Sequence, residues 1–343
     1  MFNKTITVIL TGTTFMGILV NPLHLQQSFA GNTQGNIIAQ LPPLSIVKDI
    51  RGFTGVITSL GVTLDGKDLI VASNDDKVTA FDLQTLEQKY SEPLRANPYS
   101  EIAFSSDGKL FAVGSKQQVA IFNTETGKRV KTLGQHNGNI SSLAISPDGR
   151  ILVSVSGEDW TIKIWDLENG SLIKELGEDI GPVTTVAFSP DGKIFVTGAI
   201  GTDRTIKFWD SKSFKLLNTS EQQPGFINSL VFTPNGKELV GAVRNFVKVW
   251  DLTTNKEKFS IKASDLELNQ VAVSSDNRLV ATANRDGKIT IIDLTNGKVL
   301  GKLEGHQGWI QSLAFSADGK TLYSGAEDKI VKVWDLSQFD LIR

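Results

Sequence analysis

Between Gly305 and Asp335 the chain reads GHQGWIQSLAFSADGKTLYSGAEDKIVKVWD. Apolar and polar residues alternate up to AFS, an Asp318-Gly319 turn follows, TLYSG alternates again, an acidic loop intervenes, and IVKVWD closes the stretch. Successive side chains of a strand point to opposite faces, so this period-two pattern with turn residues between segments predicts three short strands. The pattern recurs along the chain. Its last strand ends in an aromatic or apolar residue followed by Asp or Asn at Phe81-Asp82, Phe122-Asn123, Trp165-Asp166, Trp209-Asp210, Trp250-Asp251, Ile292-Asp293 and Trp334-Asp335. The second members of these pairs are 41, 43, 44, 41, 42 and 42 residues apart. A second ruler agrees, because the first turn recurs at Asp65-Gly66, Asp107-Gly108, Asp148-Gly149, Asp191-Gly192, Asn235-Gly236, Asp276-Asn277 and Asp318-Gly319. Two markers holding one period through seven copies predict a single repeat array over residues 44–343.

The strands TIKIWD, TIKFWD, FVKVWD and IVKVWD, the SPDG and SADG turns and the pair Gly305-His306 resemble the WD-repeat β-propeller family over residues 44–343. The resemblance implies an all-β fold, a seven-bladed β-propeller of four-stranded antiparallel blades. Copies one, two and six depart from it, with Phe81, Phe122 and Ile292 where the family has Trp, which puts the internal hydrogen bonding of those blades in doubt. Leu313, Phe315, Leu322, Val331 and Val333 are expected to face neighbouring blades. Residues 44–50 (LSIVKDI) resemble the outer strands at 172–176 and 299–303, so they are expected to pair with the strand containing Trp334 and close the ring. Residues 339–342 compete for the same edge, and leaving that edge unpaired invites aggregation.

His306, Ser324, Asp328 and Trp334 have the residue types of a catalytic triad, and His136, Ser154, Asp159 and Trp165 repeat the set in copy three. The resemblance implies instead that each set is a structural hydrogen-bond chain from the loop His through Asp and hydroxyl to the indole N–H, since a buried indole wants an acceptor. In copy four Asp179 stands at the His position beside Thr197, Asp203 and Trp209. Asp75 and Asp286 are expected at the loop position of Asp159, Asp203 and Asp328, with Lys116 and Arg244 replacing it in copies two and five. Each acid is read as the anchor of its own loop. No metal site, catalytic residue or cofactor is therefore expected, and the chain is read as not an enzyme.

The remaining candidates lie on one face, where the loops before the first strand and between the second and third strands gather. Trp160 and Trp309 fall there and are not required by the repeat; Phe226, Arg204, Arg244 and Arg285 lie in comparable segments. Aromatic and Arg side chains anchor protein interfaces, so these six are the expected partner-binding residues, with packing over the polar networks as the plain alternative for the tryptophans. The inner strands ISSLAIS, VTTVAFS, INSLVFT and IQSLAFS carry only Ser, Thr, Asn and Gln at polar positions. A small-ligand or enzymatic use of the central channel is the competing expectation.

Composition narrows the picture further. The 343 residues are 40% hydrophobic and 21% charged, enough for a large core, with net charge −2 and no basic run to bind nucleic acid. With no cysteine there is no disulfide, thiolate or Cys-based metal chemistry. Lys4, the apolar run at 6–20 and Ser28-Phe29-Ala30 read as a signal peptide over 1–30, and 31–43 reads as a linker. His24 falls in that segment. The expectation is an exported monomeric scaffold, periplasmic or secreted, that binds a protein or peptide and has no membrane span once the signal is cleaved, with a cytoplasmic scaffold as the alternative.

Overall fold

The structure, a computed structural model, describes residues 46–94, 101–177 and 181–341. The expected signal segment and linker, and Asp179, lie outside these residues. The described strands form seven four-stranded antiparallel sheets. In six of them the strands run in chain order from the inner to the outer strand, starting at Ile57–Val62 for blade one and Leu268–Val273 for blade six. The seventh takes three strands from the end of the chain, Ile310–Phe315, Thr321–Ala326 and Val331–Asp335, and its outer strand, Ile46–Ile50, from the beginning. Ile50 lies opposite Val331 and Lys48 opposite Val333. The N-terminal segment thus closes the ring, and the tail does not compete: Ser337–Leu341 forms a 3-10 turn and buries Phe339 in the core.

Each sheet buries both faces against its neighbours, so the core is divided into seven clusters at the seams. Leu313, Leu322, Val331 and Val333 are buried in such seams, as the alternation required. Blade seven packs on blade one through Tyr323 and Val333 against Ile57 and Leu69. Only a closed ring leaves no sheet face exposed to water.

The repeated turns are built one way. Gly66, Gly108, Gly149, Gly192, Gly236, Asn277 and Gly319 have φ between 60° and 72°, the left-handed region that Gly and Asn tolerate best. Two residues before the acid or amide stands a hydroxyl that bonds to it, as Ser146 Oγ to Asp148 at 2.6 Å and Thr233 Oγ1 to Asn235 at 2.8 Å. The Asp of each Trp-Asp pair holds the following turn: Asp166 Oδ1 accepts from the N–H of Glu168 and Asn169. Asn123 does the same for Thr126, so blade two keeps this fastening without the acid. Phe81, Phe122 and Ile292 replace the Trp as fully apolar core residues.

Candidate functional site

The two His-Ser-Asp-Trp sets close as hydrogen-bond chains. Trp165 Nε1 donates to Ser154 Oγ at 2.9 Å, His136 Nε2 lies 2.7 Å from that oxygen, and His136 Nδ1 lies 3.2 Å from Asp159. In blade seven the corresponding distances are 2.8, 2.7 and 2.8 Å through Trp334, Ser324, His306 and Asp328. The indole can only donate, which leaves the serine proton for His Nε2 and the Nδ1 proton for the carboxylate. Ser154 and Ser324 have no exposed surface, and a serine sealed in this way cannot attack a substrate. Burial lowers the His136 pKa against the pull of Asp159, which keeps the ring neutral. In blade four Trp209 Nε1 donates to Thr197 Oγ1 at 2.9 Å, and Asp203 pairs with Lys207. In blade five Gly241 stands at the hydroxyl position and offers Trp250 no such partner.

The loop acids act within their own loops. Asp75 accepts from Thr54 N and Ser73 Oγ, Asp286 from Ser264 Oγ and Lys288 N, and Asp328 from Gln307 N. Lys116 and Arg244 stand at the position of this acid in blades two and five, six residues before Phe122 and Trp250 as Asp75 is six before Phe81. The residues after them, Gln117 and Asn245, accept from His136 N and Ala263 N as Asp76 and Arg204 accept from Leu94 N and Gln223 N. In these two shorter loops the left-handed backbone falls on Lys116 and Arg244 themselves, φ 53° and 54°, whereas in the others it falls on the residue after the Asp: Asp76, Trp160, Arg204, Gly287 and Lys329. Among the described residues no three acids or histidines gather to hold a metal ion.

On the top face, where the loops before the first strand and between the second and third strands gather, Trp160 is 53% exposed and Trp309 40% exposed. Trp160 holds a left-handed backbone with a bulky side chain, a conformation that costs about 1–3 kcal/mol and that Gly287 adopts freely in blade six. Arg285 lies over the Trp309 ring at 4.8 Å, donates from Nε to Asn269 Oδ1 at 2.9 Å and pairs with Glu267 at 2.6 Å. It is committed to its own chain, where it fixes Trp309. Phe226 and Arg244 meet through the backbone, Arg244 N donating to the Phe226 carbonyl at 2.8 Å, and Phe226 stays 41% exposed. Arg204 stands in its own loop with its Nε buried and unpaired. Leu266, half exposed in the segment before blade six, joins this face and was not singled out from the sequence because a lone Leu carries no pattern.

The centre of the ring holds a feature that the strand pattern concealed. Seven equivalent inner-strand residues, Ser59, Glu101, Ser142, Thr185, Ser229, Gln270 and Ser312, surround the channel. In most seams the side-chain oxygen accepts from the next blade's backbone: Leu60 N donates to Ser312, Ile102 N to Ser59, Leu230 N to Thr185, and Leu313 N to Gln270. A second set of bonds runs the other way, with Asn228 Nδ2 donating to the Leu268 carbonyl and Asn269 Nδ2 to that of Ile310, both at 2.8 Å. Glu101 and Gln270 are the long side chains in the first set and meet across the channel at 3.3 Å, forming a crossbar. Above the crossbar is a cavity of about 310 Å³ lined by residues such as Thr58, Asn228 and Gln311; below it one of about 420 Å³ is lined by residues such as Phe104, Ile145 and Phe188. Glu101 could have been found as the one acid where the other copies carry Ser, Thr or Gln.

Burial raises the Glu101 pKa, opposed by hydrogen bonds from Ser142 and Gln270. A carboxyl raised on folding binds more protons in the folded state. Stability therefore falls as pH rises from the ordinary value of 4.5 through the folded value, and is level above it. Glu101→Gln is expected to equal the parent in stability at pH 4 and to exceed it at pH 8, read from urea denaturation at the two pH values.

Comparisons with known proteins agree with this architecture. The family description "WD domain, G-beta repeat" matches residues 297–335, and "Nucleolar protein 10-like, N-terminal domain" matches residues 100–292. WD repeat-containing protein sll1491 of Synechocystis sp. is 54% identical over 251 residues, 73% of this chain and 72% of that protein. Small ribosomal subunit protein RACK1y of Oryza sativa is 42% identical over 90 residues, 26% of each chain. Target of rapamycin complex subunit LST8 of Saccharomyces cerevisiae is 30% identical over 91 residues, 26% of this chain and 30% of that one. Seven closed blades, the repeated Trp-Asp strands and these likenesses agree, and the chain belongs to the WD-repeat β-propeller family.

Proposed function

We propose that this propeller is a non-catalytic scaffold whose top face, centred on Trp160 and Trp309, docks a protein or peptide. The observation that carries the reading is that two tryptophans beyond the needs of the repeat are held half exposed, one of them fixed by a stacked arginine. Large aromatic surfaces that are already ordered lose little entropy on binding. The printed names of two relatives, a small ribosomal subunit protein and a subunit of a target of rapamycin complex, describe members of larger assemblies. That the protein is exported, to a periplasm or to the medium, is part of the same proposal and rests on Lys4, the apolar run and Ser28-Phe29-Ala30. A mature chain beginning at Gly31 would support export.

The double variant Trp160→Ala, Trp309→Ala is expected to fold as the parent does, since both side chains lie largely outside the core. It should lose at least tenfold of the affinity for proteins captured from the source extract, about 1.4 kcal/mol or more. Equal capture by parent and variant, with matching circular dichroism, would remove this face as the docking site.

A further inference from the structure

Glu101 is an acid in a ring otherwise built from hydroxyls and one amide, and its bonding is incomplete. Ser142 Oγ donates to its Oε2 at 2.9 Å and Gln270 Nε2 to its Oε1 at 3.3 Å. Both partners are held as donors, because Ser142 Oγ also accepts from Val186 N and Gln270 Oε1 accepts from Leu313 N. Among the described residues each carboxyl oxygen receives one hydrogen bond, whereas an ionised carboxylate offers about four acceptor sites. Glu101 lines the upper cavity, and the lower one as well.

The other charged groups lining that cavity, among the described residues, are Glu158 and Arg285. Glu158 already accepts from Asn139 N and Nδ2, and the Arg285 charge is matched by Glu267 and covered by Trp309. Most of the remaining wall is neutral and polar, with the amides of Asn228 and Gln311 and the hydroxyls of Thr58 and Thr184. Among the described residues the cavity therefore has acceptors to spare, an acidic floor and no uncompensated positive charge. Its volume of about 310 Å³ is at the small end of ligand pockets.

We propose that the upper cavity binds a small organic cation, an ammonium or guanidinium head on a short aliphatic stem, whose head pairs with Glu101 and whose N–H groups donate to the surrounding amide and hydroxyl oxygens. Without a cation, burial favours the protonated carboxyl. When the cation enters, the Glu101 O–H bond breaks, its proton leaves to solvent, and the carboxylate pairs with the ligand. One proton is released per cation bound below the folded pKa of Glu101. The head can belong to a free amine or to the Lys or Arg side chain of a peptide. Neither Trp160 nor Trp309 lines the cavity, so this site stands or falls separately from the docking face.

Titration calorimetry on the intact protein tests the assignment. The probes are n-butylguanidinium, n-butylammonium, 1-butanol and a short peptide with one Arg, used from pH 4 to 8 in buffers of different ionisation enthalpy. Saturable binding of cationic probes but not of butanol is expected, with proton release and affinity rising up to tenfold per pH unit until Glu101 is ionised. Glu101→Gln should lower affinity at least tenfold. Glu101→Ser, which installs the residue found at Ser59, Ser142, Ser229 and Ser312, should do the same while keeping the fold. Binding of the peptide alone, lost in both variants, would assign the head to a side chain, and binding of the free cations would assign it to a small amine; either supports the site. No saturable binding of any cationic probe by the parent at millimolar concentration, equal binding of butanol, or undiminished affinity in both folded variants would overturn it.

Discussion

Trp334→Ala is expected to destabilise the propeller by about 3–5 kcal/mol. Trp334 is the largest fully buried side chain and packs in the seam between blades six and seven with Ile291, Leu303 and Leu336. Alanine leaves a cavity there and strips Ser324 Oγ of its indole donor, which loosens the chain through His306 to Asp328. Trp334→Phe separates the two losses. It keeps most of the packing, as Phe81 and Phe122 do at the equivalent position, and forfeits one hydrogen bond, so its cost should be about 1–2 kcal/mol. Urea denaturation followed by circular dichroism reads both. A cost for Trp334→Phe as large as that for Trp334→Ala would mean that the hydrogen-bond chain, and not the packing, holds the blade.

Asp49→Ala should cost about 2–3 kcal/mol although it removes a partly exposed side chain. Its partner is the reason. Lys332 Nζ lies 2.9 Å from Asp49 Oδ1 across the seam joining the two ends of the chain, and the Lys332 side chain is only 5% exposed. Removing the acid strands a buried ammonium, whereas removing both charges leaves an apolar seam. Asp49→Ala, Lys332→Met should therefore recover most of the loss, and the cycle yields the coupling energy. Burial alone would push the Asp49 carboxyl up, but the hydrogen bonds and charges of Lys332 and Arg51 outweigh it and hold it below 3.8. A carboxylate depressed on folding stabilises above its unfolded value, so this contribution is present above 3.8 and is lost as pH falls through the folded value. Asp49→Ala should accordingly show a shallower acid limb. An equally steep limb would show that the pair does not contribute to closure.

The same lysine reappears inside the Trp-Asp strands. Lys163 pairs with Glu175 and Lys248 with Glu257, in each case an acid on the outer strand of the same blade. Asp49 is the corresponding acid supplied from the far end of the chain. The apolar pattern of residues 44–50 was enough to place this strand, but the acid that holds Lys332 was not singled out, because one charge at a strand edge resembles any solvated residue.

Legibility in the sequence followed how locally each feature is specified. Strand alternation, turn chemistry and the His-Ser-Asp-Trp sets are set within one blade, and repetition let each copy check the others, so the ring and its two polar chains could be read from the residues. The left-handed backbone of Lys116 and Arg244 was not legible, since a shortened loop can place that conformation at any of its residues. Exposure was not legible either: nothing in the alternation says that Trp160 and Trp309 stay about half exposed. By itself the sequence determined the repeat and the blade, because period-two burial and turn residues act between near neighbours; that residues 46–50 and not the tail close the ring is a pairing between the two ends of the chain. Tertiary structure alone decided that Arg285 holds Trp309 and that Glu101 spans the channel to Gln270, because each joins residues from different blades, and Glu101 and Gln270 are 169 positions apart.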